Sequence, residues 1–388
     1  MKKLAQIEKT LPLIGNMLLP AFLFAFALLG FYVSTSFSGG MITFFHVGFY
    51  LLSFAGFLIL LYFNRSKPVF LLLIMVLSYT LINLFKHGLA ENYAGSAAYL
   101  SLCTLVPLNL LFFYFWPPRQ LLCKTNIWLL LGLFGQYALA EHLARHGVAL
   151  GFFLSGSAPL NFLAWMAFSL LLAVVFINAV RSGSITDYNF FFAFLCLLFA
   201  FYYSGTASGL SVFSFTAVLC LLSALLQNLY NETYKDPLTG LDSRNSYMIH
   251  AKNFPLKYSI GIISIDDYDK LGINFGRRIR NILTKLIAER IIELEKDENI
   301  YRYSPDEFVI VYKSLDKNEG FERLETIRRA IASAQFQFSP RRKPIKLTVS
   351  ASISEKKRSD ANSFEVLVRA GKVLQKTRSF SHNVTSKA

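Results

Sequence analysis

Apolar runs of roughly membrane-span length recur through the first 230 residues, separated by short polar breaks. They fall near 11–33, 41–63, 69–86, 96–116, 127–144, 158–180, 189–204 and 208–230, and each is read as a helix. The seventh is the shortest. Beyond residue 236 the pattern changes. Tyr258 to Ile265, Tyr-Ser-Ile-Gly-Ile-Ile-Ser-Ile, reads as a buried strand. Arg277 to Glu295 carries Ile279, Leu283, Leu286, Ile287, Ile291 and Leu294 at helical spacing. Short strands at Asn299–Tyr303 and Phe308–Tyr312 flank a tight turn. A helix near Phe321–Gln335, a strand near Ile345–Ile353 and a helix near Ser363–Arg378 complete the series.

These elements predict two domains: 1–230, a polytopic α-helical membrane bundle of about eight transmembrane helices, and 231–388, an α/β (α+β) domain. The order β-α-β-β-α-β is the split βαβ, ferredoxin-like arrangement with a central antiparallel sheet. The eighth run continues through Gln227–Lys235 directly into Asp236-Pro237, leaving no room for an intervening sensor domain.

Composition supports the division. With 388 residues, 54% of them apolar, and 38 phenylalanines, the chain is too long and too apolar for one soluble domain. Four of the 24 acidic and ten of the 39 basic residues precede Asn231. The 29 basic and 20 acidic residues that follow give the second domain a net charge of +9. That surface suits an anionic leaflet rather than nucleic acid. With the N-terminus cytoplasmic, Lys2, Lys3, Lys9, Arg65, Lys67, Arg119, Lys124 and Arg181 lie inside, and Lys86 and Arg145 lie outside. An even number of spans returns the chain to the cytoplasm, so both termini and the second domain are expected on the cytoplasmic face of the inner membrane. No cleavable signal peptide is evident.

The four cysteines, Cys103, Cys123, Cys196 and Cys220, lie in or beside apolar runs without metal-ligand spacing. Among the polar residues within spans, Asn16, His46, Asn83, Gln136, Asn161 and Asn178 are read as interhelical hydrogen-bonding groups. Glu141 and Arg145, and His142 and His146, are i,i+4 pairs, read as a solvated helix end rather than a metal site. The membrane half is a sensor or an anchor; no ligand motif decides between them.

Candidate chemistry concentrates in the second domain. Asp236 to Arg244 reads DPLTGLDSR, Ser264 to Tyr268 reads SIDDY, and Arg302 to Val311 reads RYSPDEFVIV. LTVSASIS follows at Leu347 to Ser354, and RAGKVLQKTRSFSHN at Arg369 to Asn383. In this order and spacing the motifs resemble the GGDEF domain of diguanylate cyclases, over roughly 232–384. The resemblance implies a nucleotidyl cyclase palm and a reaction joining two GTP molecules into cyclic di-GMP across a dimer. Two metal ions would be held by carboxylates on neighbouring strands.

The residues depart from that pattern. Asp306 and Glu307 keep the motif's acidic pair, but Ser304-Pro305 replaces Gly-Gly, and Ser264 stands where the resemblance implies the other metal-binding Asp. A hydroxyl is a poor Mg²⁺ ligand. If the site is active, Asp306, the Ile265 backbone and a displaced Asp266 would hold Mg²⁺. Gly272 and Asn281 stand at the implied guanine-reading positions, and Asp269, Arg378 and His382 at phosphate-contacting ones. Asn281 and Arg378 are thus residual nucleotide-binding candidates. Glu295 and Glu298 occupy the implied product-inhibition site, where Glu replaces Arg, so none is expected there. The expectation is a signalling protein with a catalytically degenerate GGDEF domain acting by protein contact, with no cofactor, as a homodimer or paired with another GGDEF protein. A divergent active cyclase and a receptor for GTP or cyclic di-GMP stand as alternatives.

Overall fold

A computed structural model of the chain describes residues 2–34, 39–88, 93–117, 121, 123–146, 160, 162–296, 298–336 and 344–388. The chain divides into two compact units, Met1–Asn228 and Leu229–Ala388.

Among the described residues each of the eight apolar runs corresponds to one helix: α1 (Lys2–Val33), α2 (Gly39–Tyr62), α3 (Ser66–Gly88), α4 (Tyr93–Phe115), α5 (Lys124–Arg145), α6 (Phe162–Ser182), α7 (Ile185–Tyr202) and α8 (Ala207–Tyr234). Among the described residues, six helices are long and apolar enough to cross a membrane: α1, α2, α3, α6, α7 and α8. Tyr99–Phe115 within α4 is a shorter apolar helix, and α5 is not in that set. Polar side chains such as Gln136 and His142 dilute the apolar run of α5.

Small residues bring α2 against α8. A Cβ at Gly48 would meet Phe215 at 2.8 Å, and one at Gly56 would meet Leu222 at 2.5 Å. The missing Cβ atoms thus leave room for the Phe215 and Leu222 side chains of α8.

Polar residues of the spans pair across helices. Asn16 Nδ2 donates to the Gly183 carbonyl (2.9 Å), and His46 Nδ1 lies 2.6 Å from the Tyr79 hydroxyl. Asn178 Nδ2 donates to the Tyr114 hydroxyl (2.6 Å), which donates to Asp187 (2.9 Å). Asn83 instead donates within its own helix, to the Tyr79 carbonyl. Among the described residues, Gln136 Nε2 is buried without a partner. The His142 and His146 rings meet edge to face at 4.7 Å. Asn161 and Arg119 lie outside the described residues, as do the side chains of Glu141 and Arg145.

The second unit is built on one six-stranded sheet, ordered β1-β3-β4-β2-β5-β6. Its strands are β1 (Asp242–Ser243), β2 (Tyr258–Ile265), β3 (Asn299–Arg302), β4 (Glu307–Lys313), β5 (Val349–Glu355) and β6 (Thr385–Lys387). The central four are antiparallel, whereas β1 and β6 join the edges in parallel. Every residue of β2 is buried, Ser259 and Ser264 among its isoleucines included. Successive side chains point to opposite faces. Ile263, Ile265, Phe308 and Ile310 therefore pack with α10 (Tyr268–Leu294) and α11 (Lys317–Ser333). Ile260, Ile262, Val309 and Val311 pack with α9 (Arg244–His250) and α12 (Ser363–Phe380).

Three element starts in the second unit differ from the sequence reading by four residues or more. Helix α10 begins at Tyr268 rather than Arg277, because its first turns continue past a non-helical Gly276 (φ 84°). Helix α11 begins at Lys317, where Asp316 and Glu319 form a capping box that satisfies the first free amides. Strand β5 begins at Val349, because Ile345 pairs with Phe336 in an isolated bridge.

Candidate functional site

The C-terminal end of β2 and the β3–β4 hairpin meet beside α12. Register places Ser264 opposite Glu307 on β4 and Ser350 on β5. The hairpin turn closes through Tyr303 N to the Glu307 carbonyl (3.0 Å) and Glu307 N to the Ser304 carbonyl (3.3 Å). Neither Ser304 nor Pro305 has a positive φ, so this turn is made without the freedom that paired glycines supply. Pro305, which lacks an amide donor, has its carbonyl held by Arg302 Nη2 (2.8 Å).

Arg302 also donates to Asp236 (2.7 Å), whose Oδ2 accepts in addition from the Thr239 amide and hydroxyl. Burial works against the Asp236 charge, but Arg302 and Thr239 outweigh it and hold the carboxyl below its ordinary value. The DPLTG turn thus braces the hairpin tip. No periodicity in the sequence announces this contact, because its partners lie far apart in the chain.

Ser304 Oγ lies 3.0 Å from Asp306 Oδ1 and 3.2 Å from Glu307 Oε2. One hydroxyl proton serves two carboxylates. Burial first, then the neighbouring Asp306 charge, push the Glu307 carboxyl above its ordinary range.

The implied metal donors are all engaged. Ser264 Oγ donates to Asp306 Oδ2 (3.1 Å) and accepts from Arg378 Nη1 (2.8 Å). Arg378 Nη2 donates to the Ile265 carbonyl (3.4 Å). Asp266 is buried, at 4% exposure, and turns toward β5. It accepts from Thr348 Oγ1 (2.7 Å), Ser350 Oγ (2.8 Å) and the Asn383 amide (3.0 Å), with His382 Nδ1 at 3.3 Å. Among the described residues no group of three or more His, Cys, Asp or Glu side chains is arranged to hold a metal ion.

This donor set does not fit a divalent cation. Mg²⁺ requires near-octahedral oxygen ligands, with anionic charge close by. Here the Arg378 guanidinium stands 3.8 Å from Asp306 Oδ2 and 3.9 Å from Asp266 Oδ1. A doubly charged ion ~4 Å from that guanidinium would meet a repulsion of about 8 kcal/mol at an effective dielectric of ~20.

In front lies an open cleft of ≈ 390 Å³, lined by Asp267, Tyr268, Asp269, Lys270, Pro305, Asp306, Arg378 and His382. Asp267 and Lys270 pair at its mouth (2.8 Å). Asn281, beyond the Gly276 kink, does not line the cleft, so the two residual nucleotide-binding candidates are not brought together there. Gly272 is covered by Arg280: a Cβ there would stand 2.8 Å from Arg280 Nη1. The same guanidinium lies 4.7 Å over the Tyr268 ring.

At the other end of α10, Glu295 is 3% exposed. It accepts from Arg323 Nη1 (3.1 Å) and the Tyr312 hydroxyl (3.4 Å). Glu298 reaches the same Arg323 (3.5 Å). Burial raises the Glu295 carboxyl above its ordinary value despite Arg323.

Residues 233–383 match the family model described as "Diguanylate cyclase, GGDEF domain". The second unit is a GGDEF domain. The chain is 25% identical over 161 residues to the diguanylate cyclase DgcP of Pseudomonas aeruginosa, a match covering 39% of this chain and 24% of that protein. It therefore spans about a quarter of that relative's length. Among solved structures, the coiled coil and GGDEF domain of DgcB from Caulobacter crescentus in complex with c-di-GMP is 18% identical. That match covers 45% of this chain and 95% of that one, with a TM-score of 0.41. The diguanylate cyclase SiaD of P. aeruginosa, in complex with its activator SiaC, is 15% identical over 43% of this chain and 66% of that one, with a TM-score of 0.38. Residues 233–383 thus carry the GGDEF-domain match, and the first unit carries candidate membrane-spanning helices.

Proposed function

We propose that this is a multi-pass protein of the inner membrane whose cytoplasmic GGDEF domain is catalytically degenerate and acts by protein contact in cyclic di-GMP-linked signalling. Both termini would be cytoplasmic, as the Lys and Arg bias of the loops favours. The observation that carries the reading is the state of the carboxylates. Ser264 supplies no charge, and Asp266, the nearest substitute, is buried with its oxygens engaged by Thr348, Ser350 and Asn383. Losing a metal carboxylate removes several kcal/mol of stabilisation from a two-metal phosphoryl transfer. What survives is a fold with surfaces for a partner, either a second copy or another GGDEF domain.

Full-length protein incubated with GTP and Mg²⁺ or Mn²⁺ should yield no cyclic di-GMP above the Asp306→Ala control. Product that disappears in Asp306→Ala would overturn degeneracy in favour of a divergent cyclase. A pull-down with the full chain that recovers no GGDEF-domain partner, itself included, would count against the contact role. The open cleft supports a second reading, a receptor for GTP or cyclic di-GMP. Calorimetric heat with either nucleotide at micromolar concentration would favour it.

A further inference from the structure

Arg378 touches all four groups to which the implied metal site would fall. Its Nη1 donates to Ser264 Oγ at 2.8 Å, and Nη2 to the Ile265 carbonyl at 3.4 Å. The same guanidinium lies 3.8 Å from Asp306 Oδ2 and 3.9 Å from Asp266 Oδ1. Two carboxylates, a main-chain carbonyl and a hydroxyl converging from β2 and the hairpin make an oxygen-lined, negatively charged locus, which requires a cation. We infer that Arg378 is the resident cation of this locus: its guanidinium takes the place of a divalent ion among these oxygens and closes them to metal.

Three observations support this over a surface ion pair. The Arg378 side chain is partly covered, at 28% exposure. Its fixed fork of donors engages two different acceptors on β2, which a mobile surface arginine does not do. Finally, Ser264 relays the interaction. It accepts from Arg378 and donates to Asp306, so the hydroxyl passes a dipole from the cation to the carboxylate without adding a charge. A carboxylate at 264 would leave two net negative charges around the guanidinium once Asp306 and Asp266 are counted. With serine at 264, Arg378 leaves only one net negative charge between Asp306 and Asp266. Serine and arginine are thus a matched pair, and this inference rests on the degenerate reading proposed above.

The consequence is measurable without turnover. Full-length protein in detergent is titrated with Mn²⁺ alone, and bound ion is counted by electron paramagnetic resonance. Wild type should show no saturable site below ~1 mM. Ser264→Asp alone should gain at most weak binding, because Arg378 still pairs with the new carboxylate. Ser264→Asp combined with Arg378→Met, which keeps the aliphatic stem, should gain one Mn²⁺ per chain, at least tenfold tighter than Ser264→Asp alone. That ion should be lost on adding Asp306→Asn. Amide-exchange protection of β2 and β5, measured on the same samples, identifies any variant that has lost its fold. For such a variant Arg378→Gln replaces Arg378→Met. Saturable Mn²⁺ binding by wild type that Asp306→Asn abolishes would overturn the inference. Equal affinity of the single and double variants would do so too. Cyclic di-GMP formation by wild type would sink the degenerate reading itself. Wild type that forms no product yet binds Mn²⁺ would sink only the role given to Arg378.

Discussion

Two acidic clusters of the GGDEF domain sit where the family resemblance places ligands, and each has recruited an arginine of its own chain. At the hairpin, Arg378 from α12 faces Asp306, Asp266 and Ser264. At the far end of α10, Arg323 from α11 faces Glu295 and Glu298. The outcomes differ. The hairpin cluster opens on a cleft, and its Asp306 side chain is 29% exposed. The Glu295 cluster is sealed, with its carboxylate buried under Tyr312. A carboxylate with oxygens still facing solvent keeps the capacity to meet a ligand. One that is buried and paired has become part of the core.

The comparison breaks most visibly at Asp266, the buried carboxylate beneath the open cluster. Asp266→Ala removes the acceptor of the Thr348 and Ser350 hydroxyls and one of the two acceptors of the Asn383 amide, with an expected loss of about 3 kcal/mol. In the full chain, amide-exchange protection of β2 and β5 should fall accordingly. Unchanged protection would mean that Asp266 is not part of the framework.

Glu295→Ala should cost about 1–2 kcal/mol, since Arg323 is 46% exposed and stays hydrated without its partner. Its pH dependence has a definite sign. A carboxyl raised in the fold contributes stability that is fully present below the unfolded value of 4.5 and lost as pH rises through the folded one. The advantage of wild type over Glu295→Gln should therefore shrink from pH 4 to pH 7. An advantage that grows instead would remove burial as the dominant influence on Glu295.

Restoring glycines with Ser304→Gly and Pro305→Gly sharpens the contrast from the open side. Added unfolded-state freedom should destabilise by about 1 kcal/mol, with no cyclic di-GMP formed, because Ser264 and Arg378 are untouched. Product formation would make the hairpin, and not the metal position, the seat of the defect.

The smallest effect belongs to Glu325, which joins α11 to β6 through Thr385. Arg328 leads the groups that lower its carboxyl to about 2. Its contribution, below about 1 kcal/mol, should persist above pH 4.5 and vanish as pH falls toward 2, seen as earlier exchange of β6 amides.

Periodicity alone located the eight apolar helices and the β-α-β-β-α-β order, because long runs and burial on both faces of β2 write themselves into composition. It passed over β1 and β6, two and three residues long, which have no room for alternation and exist only because an edge of the sheet accepts them. It also started α10 late, because Gly276 interrupts the helical spacing. At the site, the residues themselves pointed to the loss of charge at Ser264 and the altered Ser304-Pro305 turn. Where Asp266 directs its oxygens was a tertiary matter, since its partners Thr348, Ser350 and Asn383 lie over 80 residues away. So was the placing of Arg378, 114 residues beyond the serine it contacts. Sequence determines which charges are available. Only the packed sheet, bringing β2, β5 and α12 within hydrogen-bond reach, decides which of them neutralise one another.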